Sequence, residues 1–180
     1  MAQAKIGRGV HITFLGHSAF KLSGDGVNVL IYPWLSNPLL NTPVEKVGPV
    51  DLILVTHGHG DHVGETVAVA QASHAPVVAI HELSVILARQ GAPEVIGMNK
   101  GGTLAIAGCK ITMTHAVHSS AVEEGGELIA AGDLPASLSS LATASWPTTP
   151  ATPRSSRTWS SSRNSITRSW PCSPSAAITS

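Results

Sequence analysis

Apolar runs of strand length, rich in Val and Ile, recur between turn signals along the first two-thirds of the chain: His11–Leu15, Val27–Tyr32, Leu52–Thr56, Val77–Ile80 and Lys110–Thr114. Their length and β-branched content predict strands. Between them, Glu65–Ser73 and Glu82–Gln90 carry Ala, Leu, Val and Ile at helical spacing, and the second runs into Gly91, a residue suited to stopping a helix. Early strands joined by tight turns, then strand and helix in alternation, predict an α/β fold layered on a sheet.

From Leu134 onward no hydrophobic period can be assigned. Those 47 residues hold 14 Ser, 7 Thr, 6 Pro and 3 Trp, the composition of a low-complexity, disordered segment. The expected division is therefore a folded region over 1–133 and a tail over 134–180.

A length of 180 residues fits one domain with a sizeable core. The formal charge of +0 balances 11 basic against 11 acidic side chains, which argues against electrostatic capture of nucleic acid. The balance is uneven along the chain. Every Asp, Glu and His lies at or before Asp133, whereas four Arg and no acid follow it. Cys109 and Cys172 lie far apart, so no disulfide framework is indicated; Cys109 reads as a small apolar filler in a strand. Lys5 and Arg8 precede no apolar leader-like run, and no stretch approaches the roughly 18 apolar residues of a membrane span. A cytoplasmic protein with neither membrane nor nucleic acid as partner is expected.

The strongest chemical signal is His57-Gly58-His59-Gly60-Asp61-His62, placed between a predicted strand and a helix. Neutral imidazole and carboxylate are first-rank ligands for zinc and similar ions. His57 and His59, two apart on an extended segment, can point to one side, while Asp61 and His62 fall where the chain turns into the helix. The spacing proposes two adjacent metals. A polar loop capping the helix through Asp61 is the competing reading. Gly58 and Gly60 would let the backbone turn without Cβ clashes. A third ligand for the first metal is sought after the strand at Lys110–Thr114, where His118 leads and His115 competes.

These residues resemble the metallo-β-lactamase superfamily, whose His-x-His-x-Asp-His signature His57 to His62 match in full. Thr13-Phe14-Leu15-Gly16-His17-Ser18-Ala19-Phe20, Leu54 to His62, Gly101-Gly102-Thr103 and Ala116 to Ser120 resemble, more narrowly, a branch of uncharacterised metal-dependent hydrolases similar to ascorbate-phosphate lactonases. The resemblance spans about residues 9 to 133. It implies an αββα sandwich, of which the N-terminal half is expected here, with a dinuclear site at one sheet edge. It also implies one or two divalent ions, zinc first and manganese second. By it, His57, His59 and His118 would hold one ion, and Asp61 and His62 would belong to the other. Asp61 and His17 would serve the chemistry, His17 touching ligands or substrate, with an ordinary turn histidine as its alternative. His11, His74 and His81 match no ligand spacing.

The implied reaction is hydrolysis of a small-molecule ester, lactone or phosphoester through a metal-bound hydroxide, impaired in this chain; a non-catalytic metal-binding remnant is the alternative. Two departures motivate the impairment. The branch reads Ile-Asp-Pro where this chain has Ile31-Tyr32-Pro33, and its later His-Ala-Gly-Asp-Thr and Gly-Gly-His segments are missing. Regrouping the codons of the tail from each third base, however, permits Ala-Tyr-His-Ala-Gly-Asp-Thr over Trp146–Pro153 and Pro-Ile-Gly-Gly-His-Tyr over Pro174–Ser180. A one-base frameshift near Leu134 would account for both motifs.

Overall fold

The structure, a computed structural model, describes residues 9–132 and, by backbone alone, 2–6. The expected tail over 134–180 lies outside the described residues. Seven strands form the main sheet: β1 (Ala2–Ile6), β2 (Val10–Phe14), β3 (Phe20–Gly24), β4 (Val27–Ile31), β5 (Leu52–Val55), β6 (Val77–Ile80) and β7 (Val95–Met98). They lie in sequence order from one edge to the other. β1 to β4 form an antiparallel meander, and β4 to β7 run parallel. A turn at Asp25-Gly26, both at positive φ, joins β3 to β4.

Helix α2 (Thr66–Ser73) lies in the crossover from β5 to β6 and α3 (His81–Arg89) in that from β6 to β7, while β4 reaches β5 through a loop with one 3-10 turn at Val44–Lys46; a one-turn helix α1 (Gly60–Val63) precedes α2. Helix α3 buries Leu83, Ile86 and Leu87 at three- and four-residue spacing. It packs tightly on β7, because a Cβ at Gly97 would come within 2.7 Å of Ser84 Oγ. Helix α2 ends at His74, which takes the left-handed conformation (φ 56) and donates its N–H to Ala70 O; Pro76 cannot continue the helix.

Central strands β5 and β6 are buried at every position, as a parallel sheet covered on both faces requires. One face carries the helices. The other carries two hairpins, β8 (Thr103–Ile106) with β9 (Cys109–Thr112) and β10 (Ala121–Glu124) with β11 (Glu127–Ala130). Ile111 and Met113 lie against Leu54 and Val78 on that face. Cys109, Ile111, Met113 and Val122 join the same buried cluster as the sheet, which confirms Cys109 as an apolar filler. Helix, sheet and hairpins thus supply three successive layers of the expected sandwich. Among the described residues no helix follows α3, and none is long and apolar enough to cross a membrane.

Five of these strands were legible as apolar runs, to within a residue or two at either end. Strands β1, β3, β7, β8, β10 and β11 were not.

Candidate metal centre

The site forms where β5 ends. Leaving the sheet at Val55, the chain delivers His57 and His59 from an extended segment, then coils into α1, which carries Asp61 and His62. His59 is the residue preceding α1, and its side chain makes no capping hydrogen bond there. Asp61 lies within the first turn of α1, and its carboxylate bonds to His17 and His62.

Two three-residue groups result, one of His57, His59 and His118, the other of His17, Asp61 and His62, each with potential donor atoms within 4.8 Å of one another. In the first, His118 Nε2 lies 3.2 Å from His59 Nδ1, and the rings of His57 and His118 are 4.8 Å apart. His115 is exposed and belongs to neither group, whereas His118 stands beside His57 and His59. In the second, His62 Nδ1 lies 2.9 Å from Asp61 Oδ1 and His17 Nε2 3.1 Å from Asp61 Oδ2. The groups adjoin, with His57 and His62 ring centroids 4.2 Å apart. Outside both groups, His11, His74 and His81 are exposed.

Two atoms decide whether this set suits a metal. His57 Nε2 and His62 Nε2 are buried and have no hydrogen-bond partner. Leaving a buried polar nitrogen unpaired costs on the order of 1–3 kcal/mol, so two in one cluster point to a ligand that accepts nitrogen lone pairs. Both histidines are held neutral as such a ligand requires. Burial, reinforced by His62, His59 and His118, pushes His57 down to about 3. Burial also lowers His62, against the opposing pull of Asp61. Partial burial alone would raise Asp61; its bond to His62 and the neighbouring imidazoles outweigh that and hold it ionised.

Residues that the motif did not reveal hold these side chains. Thr56 Oγ1 lies 3.0 Å from His57 Nδ1 and 2.7 Å from Tyr32 Oη. With Nδ1 engaged there, Nε2 is left to face the cluster. Tyr32 stands at positive φ (49) with its ring 4.6 Å from that of His62. Burial raises its pKa against the influence of Thr56, so the phenol keeps its proton and reaches His57 through Thr56.

The backbone after Tyr32 is clamped to the helices. Glu65 donates its N–H to Pro33 O, and its carboxylate accepts from Leu35 N at 2.5 Å and Ser36 N at 3.1 Å. Ser119 Oγ lies 3.2 Å from His59 Nε2. Gly58 N–H donates to Ser120 Oγ, which in turn donates to Ala131 O, tying the motif to the β10–β11 layer. Gly58 is required by packing, since its Cβ would lie 2.8 Å from Ala121 O and from Val122 Cγ2. Gly60 is different from what its spacing suggested: it has no positive φ, and nothing lies within 4 Å of its Cβ position.

A family model described as the beta-lactamase superfamily domain matches residues 27–134, more than half of the chain. The chain belongs to the beta-lactamase superfamily. Among its curated relatives in this superfamily, a UPF0173 metal-dependent hydrolase of Methanopyrus kandleri is 48% identical over 124 residues, covering 68% of this chain and 54% of its own length. Another, from Archaeoglobus fulgidus, is 51% identical over 129 residues, covering 69% of this chain and 53% of its own. The chain thus spans about half the length of the curated relatives it matches. Its fold is similar to that of Igni18, a metallo hydrolase from Ignicoccus hospitalis, at a TM-score of 0.57 and 34% identity over 69% of this chain and 61% of that one. These likenesses bear out the family and fold that the motif implied.

Proposed function

We propose that this chain is a metal-dependent hydrolase of the superfamily, acting on a small-molecule ester, lactone or phosphoester. The observation that carries this reading is the pair of buried, unpartnered Nε2 atoms of His57 and His62 inside two adjoining donor groups. His57, His59 and His118 would hold one divalent ion; Asp61 and His62 would contribute to the other. Nitrogen-rich donors favour zinc, with manganese the alternative. When bound, such ions supply Lewis-acid polarisation of the substrate oxygen and lower the pKa of water, the nucleophile of hydrolysis.

The chain's own residues orient that chemistry. Thr56 fixes the His57 ring, Ser119 fixes the His59 ring, and Asp61 places one negative charge between His17 and His62. Names carried by the relatives support a hydrolytic activity, since both UPF0173 proteins are called metal-dependent hydrolases.

One observation favours a second reading, a metal-binding remnant without turnover. After Asp133 the chain has no Asp, Glu or His from which later ligands could come. The test is hydrolysis of a panel of lactones, esters and phosphodiesters by the purified full chain, zinc-loaded and chelated. Chelator-sensitive turnover that is lost in His57→Ala supports the enzyme. Metal bound without turnover on any member rejects it in favour of the remnant.

A further inference from the structure

We propose that His17 is a metal ligand, completing with Asp61 and His62 a second three-donor site built wholly from residues 17–62. This rests on the metal-dependent reading above and goes beyond it, because the motif itself supplies only Asp61 and His62 to that site.

Distance is the first support. Donors sharing a tetrahedral zinc at about 2.0–2.1 Å lie about 3.3 Å apart. His17 Nε2 and Asp61 Oδ2 are 3.1 Å apart, nearly the separation of His118 Nε2 and His59 Nδ1 in the neighbouring group. The second support is His62. Its side chain is only 6% exposed, its Nδ1 is taken by Asp61 Oδ1, and its buried Nε2 has no partner. Around that ring stand the imidazoles of His57, with centroids 4.2 Å apart, and of His17, 5.6 Å apart.

The third support is how much structure is spent on aiming His17. It takes the left-handed conformation (φ 48) directly after Gly16 (φ 99). A β-carbon at Gly16 would lie 2.1 Å from Oδ1 of Asn37, a fully buried residue. Asn37 Nδ2 donates to Leu15 O at 2.8 Å and to Trp34 O at 2.7 Å, pinning the turn to the segment after β4. Trp34 meets the His17 ring edge-on at 5.2 Å. Conformations this constrained are kept at sites where the surroundings over-determine them. Two imidazoles and one carboxylate would leave at least one position of a four-coordinate ion open to water or substrate.

The rival role for His17 is a hydrogen bond that merely orients Asp61. Zinc content of the full chain, measured after metal removal and reloading, separates the two, with cobalt absorption as a spectroscopic check. The wild-type chain should hold two equivalents, His17→Ala one, His118→Ala one, and the double variant none. His17 is exposed, so His17→Ala should melt within a few degrees of wild type. An orienting role would lower second-site affinity only about 10–100-fold. His17→Ala would then still reach two equivalents at saturating zinc, and that result overturns the proposal. A wild-type chain that holds one equivalent, unaffected by His17→Ala, overturns it too while leaving the metal-dependent reading standing. No bound metal in any variant overturns both.

Discussion

Replacing Gly58 by Ala tests the tie between the ligand motif and the β10–β11 layer. The new methyl would stand 2.8 Å from Ala121 O and Val122 Cγ2 and 2.9 Å from the Ala121 carbonyl carbon. Carbon atoms in contact prefer 3.5–4.0 Å, so the hairpin must retreat by about 0.7 Å or more. Overpacking of this kind costs roughly 1–3 kcal/mol. The hydrogen bond from Gly58 N–H to Ser120 Oγ, 3.1 Å long, stretches with it at about 0.5–1.5 kcal/mol. The expected destabilisation is about 1.5–4.5 kcal/mol, the sum of the two. His118 lies on the same retreating segment, three residues before Ala121, so its 3.2 Å approach to His59 opens and zinc binding at the first group weakens. Gly60→Ala is the matched control: with open space and no positive φ, it should be neutral or stabilising by about 0.4–1 kcal/mol. Urea unfolding and zinc titration of both variants provide the readout. If Gly58→Ala unfolds within about 0.5 kcal/mol of Gly60→Ala, the packing argument is refuted.

Thr56→Val should lower zinc affinity about 10–100-fold at constant stoichiometry, because His57 Nδ1 loses its partner; competition titration checks it, and Tyr32→Phe should show a smaller effect in the same direction. Asn37→Leu removes bonds to Leu15 O, Trp34 O, Leu39 N and Leu40 N, and should cost several kcal/mol in urea unfolding, about 1 for each bond. In the metal-free chain, folding lowers His57 from its ordinary 6.5 to about 3, so the unfolded state takes up the proton first. His57 therefore contributes its full stability above about pH 6.5, and that contribution declines as pH falls toward 3. Melting temperature measured across that window should drop steadily, whereas a flat profile would mean that His57 is solvated. Sequencing the coding DNA around Leu134 should reveal a single-base change that restores an open frame with the two missing motifs.

What the sequence disclosed depended on whether burial left a mark on it. Strands β5 and β6 are buried on both faces and so read as unbroken apolar runs. β11 is exposed at all four positions and, among the described residues, pairs only with β10, so nothing in Glu127–Ala130 had to alternate. β7 is short and contains Gly97, where α3 lies too close for a side chain, so its apolar run is interrupted. At the site, the motif announced His57, His59, Asp61 and His62, since chemistry fixes both residue type and spacing. His118 and His115 were alternatives in the chain, and it is His118 that three-dimensional placement brings beside His57 and His59. Asn37, Thr56 and Glu65 left no signal, because a supporting hydrogen bond constrains one polar residue and not a pattern. Tyr32, read as the loss of an acidic side chain, turned out to reach His57 through Thr56.

The strictly sequential order of the main sheet has a consequence for assembly. Each strand pairs with the one made immediately before it, so every sheet contact closes a short loop and the chain can build its sheet as it is synthesised. His17, Asp61 and His62 all lie on segments present once β6 is in place, whereas His57 and His59 must wait for His118, which follows β9. The two donor groups therefore come together at different stages of synthesis, the one around Asp61 first.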